Sequence, residues 1–347
     1  MLYINDSCTD PYWNLATEEY LLKEFSQPVF RLWTNSPSII IGQYQNALAE
    51  IDYNYIKEHN IKVVRRLTGG GAVFHDLGNL NFTFVEARRQ GEDAPAMFRR
   101  FTAPILDALN NIGVKAYLEG RNDLLIDGRK FSGNAVCIHK ERILQHGTLL
   151  FSASMNTLGN ALKARPEKFI GKAVQSNRSR VTNISEHLAN ATAAAQGIQD
   201  MEAFKDYLAE YISSRYDSII PYTYTPEDLA AIERLREEKY ATREWNFGKS
   251  PSYTFSKVSK LQGGIVEIYM DVAKGAISSL SIMGDYFFSL PTEEFTGMLI
   301  GTPHTQEAIA GKIQEIDRTM KAAGNHLGLS AYFSNITPEE LAGMFFN

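Results

Sequence analysis

The chain has 347 residues, 44% hydrophobic and 11% aromatic, more than one compact core usually holds, so one large and one small domain are expected. A net charge of −5 argues against nucleic acid as the main partner, and no run approaches the roughly 18–20 apolar residues of a membrane helix. Cys8 and Cys137 stand far apart with no CxxC pattern, so reduced thiols in a cytoplasmic protein are expected; the N-terminal "MLYINDSCTDPYW" does not read as a signal peptide.

In chain order, "DPYWNLATEEYLLKEF" (Asp10 to Phe25) predicts a helix with Asp10 as cap and Pro11 at its first position. The runs "PVFRLW" and "SIIIG" read as strands, "IDYNYIKEHN" as a short helix, and "IKVVRR" as a strand entering a run of glycines. After the glycines, "AVFHD" and "LNFTFV" read as two strands joined at "LGN". In "MFRRFTAPILDALNNIG", Phe98, Phe101, Ile105, Leu109 and Ile112 recur at helical steps, with Gly113 placed to end the helix. "VKAYLE" follows, then the hairpin "DLLIDGRKFSGNAVCIHK" about the turn pair Asp127-Gly128, and "ILQHGTLLF" as its neighbour. A basic loop, "KARPEKFIGKAVQSNRSR", precedes helices near 198–216 and 226–239. "REWNFGKSPSY" marks a boundary, so the domains are expected at 1–245 and 252–347. Beyond it, "GGIVEIYMDVAKGAISSLSIMGD" alternates as a hairpin, and helical patterns finish the chain. Strands joined by short turns and flanked by helices predict an α+β fold.

The stretch "RRLTGGGAVFHD" (Arg65 to Asp76) carries the first chemical signal. A Walker loop fails because Ala72-Val73 follows the last glycine, and a dinucleotide fingerprint fails because Phe74 stands where its third glycine belongs. Two readings remain: a tight turn with solvated arginines, or a glycine loop between strands whose backbone N–H groups cradle an anion, with Arg66 facing inward. A second motif favours the cradle. "GRNDLLIDGRKFSGNA" groups charged and small polar residues on a hairpin, and strand alternation puts Lys130, Ser132 and Asn134 on one face. "QHGTLLF" adds His146. No histidine or cysteine spacing suits structural zinc.

With "RRLTGGGAVFHDLGNLNFTF", "GRNDLLIDGRKFSGNA", "HGTLL", "SNRSRVTNI" and "WNFGKSP" in that order, the chain resembles the lipoate–protein ligase A family of the biotin and lipoate ligase superfamily. The resemblance implies a biotin/lipoate protein ligase-like catalytic domain plus a small α+β accessory domain. It implies ATP-dependent activation of lipoate or octanoate to the acyl-adenylate, helped by Mg²⁺, then transfer to a lysine of a carrier. The carriers implied are the lipoyl domains of 2-oxoacid dehydrogenase complexes and the glycine cleavage H protein. Arg66, Gly71, Ala72, Val73, Phe74 and Lys130 match nucleotide positions, with Lys130 the catalytic lysine touching both substrates. Gly70, Gly71, Ala135, His146 and Lys130 are expected around lipoate, Leu67, Val73 and Phe74 as further tunnel wall, Asp123 at the metal, and Arg178 and Arg180 closing over the adenylate. A monomer without nucleic-acid or membrane partners is expected. The competing reading is a thioester-forming carrier transferase using Cys137, disfavoured because strand parity sets Cys137 and Lys130 on opposite faces.

Overall fold

The computed structural model describes residues 1–45, 47–51, 53–154, 181–188, 197–215, 219–248, 255–273 and 275–346. The strands are β1 (Leu2–Asn5), β2 (Val29–Thr34), β3 (Ser38–Ile41), β4 (Lys62–Arg65), β5 (Val73–His75), β6 (Asn79–Ala87), β7 (Ala116–Glu119), β8 (Asp123–Ile126), β9 (Arg129–His139), β10 (Arg142–Leu150), β11 (Ile220–Pro221), β12 (Phe255–Leu261), β13 (Gly264–Ala273) and β14 (Ala276–Gly284). The helices are α1 (Pro11–Glu24), α2 (Ala47–Glu50), α3 (Tyr53–Glu58), α4 (Ala94–Asn111), α5 (Met201–Ser213), α6 (Pro226–Leu235), α7 (Arg243–Phe247), α8 (Thr292–Leu299), α9 (Gln306–Ala322) and α10 (Pro338–Ala342). The fold is α+β, as the sequence predicts.

The main sheet has eight strands in the order β11-β1-β2-β6-β10-β9-β8-β7, and a small sheet runs β4-β3-β5. The three strands β12-β13-β14 form a third sheet, covered by α8, α9 and α10. Capping explains where the helices begin. Asp10 accepts from Tyr12 N ahead of α1, Asp93 accepts from Ala96 N ahead of α4, and Thr225 and Asp228 form a reciprocal capping box on α6. The tight turn between β8 and β9 has positive φ at both Asp127 and Gly128, as a type I′ turn requires. Gly113 ends α4 in the left-handed region.

Strand pairing departs from chain order, and one expectation is corrected. β5 and β6 follow one another but do not pair: β5 belongs to the small sheet with β3, and β6 pairs with β2 and β10. In β9, Lys130 does not share a face with Ser132 and Asn134. Leu124 pairs with Ser132 while Leu125 pairs with Lys130, so Phe131 is an extra residue and the bulge turns Lys130 to the other side.

The faces of the main sheet differ in chemistry. One carries Phe30, Leu32, Phe82, Phe84 and Leu149, and packs on Phe98, Phe101, Ile105 and Leu109 of α4. The opposite face carries Arg31 and Trp33 on β2, Asn81 and Thr83 on β6, His146 and Thr148 on β10, and Gly133 and Ala135 on β9, in cross-strand rows fixed by register. The first face holds the fold together. Phe101 is 2% exposed and its ring lies 5.8 Å from that of Phe84. Phe101→Ala should lower stability by about 3–5 kcal/mol, read as a lower urea midpoint with an unchanged slope.

Candidate active site

The polar face forms the floor of a cavity, roofed by α1, the glycine loop and a loop from the C-terminal sheet. Its wall includes Trp33, His75, Asn81, Thr148, Gly133 and Lys130. The row Trp33–Asn81–Thr148–Gly133 crosses four strands, so the cavity runs about 14 Å at three interstrand steps. Lys130 sits at the β9 end: a Cβ on Gly133 would stand 3.1 Å from its Nζ. Trp33 and His75 sit at the β2 end, ring centroids 6.2 Å apart. One end is charged and the other closed by rings.

Two buried guanidinium groups shape the glycine loop. Arg65 Nη1 donates to the carbonyls of Gly42, Gln43 and Gln45, Nε to Trp245 O and Nη2 to Asn246 O. Arg66 Nη2 donates to Gly69 O at 2.7 Å and Gly71 O at 2.8 Å, Nη1 to Ile40 O, and Nε to Thr68 Oγ1. Burial pushes both from 12.5 to about 10, which leaves them charged at neutral pH. With its carbonyls drawn inward, the loop presents its amides outward. Among the described residues, the N–H groups of Gly69, Gly70, Gly71 and Ala72 have no hydrogen-bond acceptor. Four unpaired donors in succession are the chemistry an anion would use.

Glycine is required here by crowding. A Cβ on Gly69 would meet Tyr286 O at 2.4 Å, one on Gly42 would meet Gly70 O at 2.1 Å, and Gly70 has φ +92°. Tyr286 belongs to the C-terminal segment following β14, whose Phe287 also lines the cavity. Arg121 holds that ring by stacking 4.1 Å over it, and donates to Gly263 O. The C-terminal sheet therefore contributes directly to the cavity wall.

A buried polar chain links α1 to the loop. Glu18, 2% exposed, receives Thr83 Oγ1–H at 2.6 Å and His146 Nδ1–H at 2.9 Å. His146 Nε2 meets Thr68 Oγ1 at 2.9 Å, and Thr68 Oγ1 accepts from Arg66 Nε. Burial opposes ionisation of Glu18, but the His146 and Thr83 contacts outweigh it and hold the carboxyl below its ordinary value of 4.5. Sequence reasoning missed Glu18, since a glutamate in "NLATEEYLL" looks like an ordinary solvated helix residue.

Of the residues expected around the site, Arg66, Gly70, Gly71, Ala72, Val73, Lys130, Ala135 and His146 line the cavity. Phe74 packs instead with Ile39 and Val63 in the small sheet, and Leu67 against the cluster that holds Leu22 and Leu144. Asp123 pairs with Lys130 at 2.7 Å, both about 40% exposed as 41% and 39%. Arg178 and Arg180 lie outside the described residues. Cys137 is not on the cavity wall. The bulge puts it on the same face as Lys130, so the parity expectation fails, but α1 covers it: burial, with Glu19 and Glu18 nearby, pushes its thiol up to about 12. A thiol raised in this way is disfavoured as the thiolate that a nucleophile requires.

The site also predicts acid sensitivity. Burial, reinforced by His146 and Arg66, pushes His75 from 6.5 down to about 3. A group with a depressed folded value stays neutral while the unfolded chain takes up its proton. Stability should therefore be full above about pH 6.5 and fall below it, with a slope approaching about 1.4 kcal/mol per pH unit. Glu18 adds a second loss once pH drops through its lowered folded value. Urea unfolding across this range tests it; a flat profile between about pH 7 and 5 would contradict a buried neutral His75.

The comparisons with known proteins agree with this geometry. Residues 10–213 match the lipoyl protein ligase A/B catalytic domain, and residues 250–345 the bacterial lipoate protein ligase C-terminus. The chain is 37% identical to lipoate-protein ligase LplJ of Bacillus subtilis (strain 168) over 351 aligned positions, covering 100% of both chains. It resembles the bipartite archaeal lipoate protein ligase of Thermoplasma acidophilum, solved in a study with its E2 lipoyl domain (29% identity, TM-score 0.62, 73% of this chain and 98% of that one). It also resembles a lipoate-protein ligase A bound with ATP (27% identity, TM-score 0.61, 72% and 98%). A catalytic match over more than half the chain and a full-length relative at this identity settle the family: the chain belongs to the lipoate–protein ligases.

Proposed function

We propose that the protein is an ATP-dependent lipoate–protein ligase, and the observation that carries the reading is one cavity lined by both Lys130 and the glycine-loop residues Gly70, Gly71 and Ala72, whose amides are unpaired among the described residues. In the first step a lipoate carboxylate oxygen attacks the α-phosphorus of ATP, the bond to the β,γ-diphosphate breaks, and lipoyl-AMP and pyrophosphate form. Two anions must meet, so the chain's task is positioning and charge stabilisation rather than nucleophilic attack. Loop amides hold phosphate oxygens, Arg66 keeps those amides outward, and the Lys130 ammonium bridges the acyl and phosphate oxygens as a compact point charge. In the second step a carrier lysine attacks the acyl carbon, AMP leaves, and the amine gives up its proton.

Mg²⁺ would enter with ATP and neutralise phosphate charge. Among the described residues there is no cluster of three or more His, Cys, Asp or Glu to form a resident site. The lone carboxylate of Asp123 beside Lys130 suits an ion that keeps most of its ligands as water and phosphate. The known partnership of an archaeal ligase with an E2 lipoyl domain supports lipoyl carriers as acceptors here. We extend this to both 2-oxoacid dehydrogenase carriers and the H protein, with a monomeric cytoplasmic enzyme. Residues 1–245 form the catalytic unit and 252–347 the accessory one. The two free thiols and the absence of any helix in the described residues long and apolar enough to cross a membrane are consistent with that setting.

The test is lipoate-dependent exchange of labelled pyrophosphate into ATP without any carrier. Wild type should exchange. Lys130→Ala should lose at least about 100-fold in rate, while its urea midpoint stays near wild type because Lys130 is a half-exposed residue in a surface ion pair. Wild-type-like exchange in that variant would remove Lys130 from the centre of the mechanism.

A further inference from the structure

The closed end of the cavity holds a hydrogen-bond donor with nothing to bond. His75 is 3% exposed, lines the cavity, and among the described residues its Nε2 is buried without a partner. Which ring nitrogen carries the proton follows from a chain of buried groups beginning at a residue that can only donate. Arg31 donates to Asn14 Oδ1, which sets the Asn14 amide. Its Nδ2 lies 2.9 Å from the carbonyls of Cys8 and Thr34 and from Asn35 Oδ1, so its two hydrogens are shared among three acceptors. With its oxygen engaged, Asn35 turns its Nδ2 to His75 Nδ1 at 3.0 Å, so Nδ1 accepts and the proton lies on Nε2.

A buried N–H with no acceptor is a standing cost that a bound ligand relieves. The surroundings indicate the acceptor wanted. Trp33 already gives its indole N–H to Thr83 Oγ1, and Asn81 is engaged with Asn79 and Trp33 O. What remains at this end is ring and aliphatic surface from Trp33, Leu15 and Ile40 around the His75 N–H and the second N–H of Asn81. That suits a mostly apolar group with one soft acceptor, and sulfur combines both: it accepts weakly and packs well at an aromatic edge.

Resting on the ligase reading, we propose that His75 is a specificity-determining residue: its Nε2–H donates to a dithiolane sulfur at the far end of the acyl chain and selects lipoate over a plain eight-carbon acid. The carboxylate lies near Lys130 and the chain crosses the sheet, which places its tail at Trp33 and His75. A methyl terminus leaves the N–H as unpaired as it is in the free protein, so the gain goes to lipoate alone.

Pyrophosphate exchange with lipoate and with octanoate as alternative acids tests this in wild type, His75→Phe and His75→Gln. Wild type should favour lipoate. His75→Phe, which keeps the ring and drops the donor, should reduce the lipoate-to-octanoate ratio of kcat/KM by roughly 10-fold, the worth of one weak hydrogen bond, mainly through KM for lipoate. His75→Gln, which returns an N–H, should recover part of it. An unchanged ratio in His75→Phe overturns the proposal while leaving the ligase reading intact; no exchange with either acid in wild type overturns both. Should His75→Phe not fold, nitrogen-15 NMR of wild-type histidines decides. An Nε2–H tautomer whose proton moves downfield with lipoate but not with octanoate supports the assignment, and equal responses overturn it.

Discussion

The site depends on two charges placed where a core would normally be apolar. Arg65 and Arg66 are both buried, Arg66 at the cavity wall, at a desolvation cost that would eject them unless every donor found an acceptor. The acceptors they find are backbone carbonyls: Arg65 gathers those of the turn after β3 and of α7, and Arg66 those of Ile40, Gly69 and Gly71. That orientation of carbonyls leaves the loop amides free, so an anion cradle is the other side of an arginine's solvation shell. The glycines follow from the same constraint. A side chain on Gly42 or Gly69 would strike backbone, and backbone cannot move aside.

The main sheet divides the labour between its faces. Aromatic and aliphatic residues face α4 and supply the cohesion, which frees the opposite face to carry Arg31, Asn81, Thr83 and His146 beneath α1. Those polar groups are tied to one another and to Glu18, Asn14 and Asn35, which offsets most of their burial cost, with Arg31 Nε left unpaired among the described residues. The cavity wall is thus rigid on the floor side. Its roof is different in kind: Tyr286 and Phe287 arrive from the C-terminal sheet, so the shape of the site depends on how that sheet seats against the glycine loop.

Much of this was legible in the chain. Local signals read correctly where the physics is local, as with the Asp10 cap, the Asp127-Gly128 turn, the periodicity of α4 and the glycine run. The sequence singles out Lys130, which lines the cavity, but not its facing, because a one-residue bulge at Phe131 leaves no mark on the alternation and inverts every parity argument that crosses it. The same bulge undid the argument about Cys137, whose thiol is disfavoured as a nucleophile on other grounds, partial burial beside two carboxylates and a place off the cavity wall. The strand β12 went unseen since "FSKVSKL" places its apolar residues three apart rather than two. Glu18 and Phe287 were beyond reach for a common reason: their roles come from contacts across the fold.

The central claim is that this cavity makes an acyl-adenylate without a covalent enzyme intermediate. Native and denaturing mass spectrometry of purified protein incubated with ATP, Mg²⁺ and lipoate, with no carrier, tests it most directly. The structure predicts lipoyl-AMP in the native complex and an unmodified chain after denaturation. A lipoyl adduct that survives denaturation on Cys137, with no adenylate formed, would contradict it.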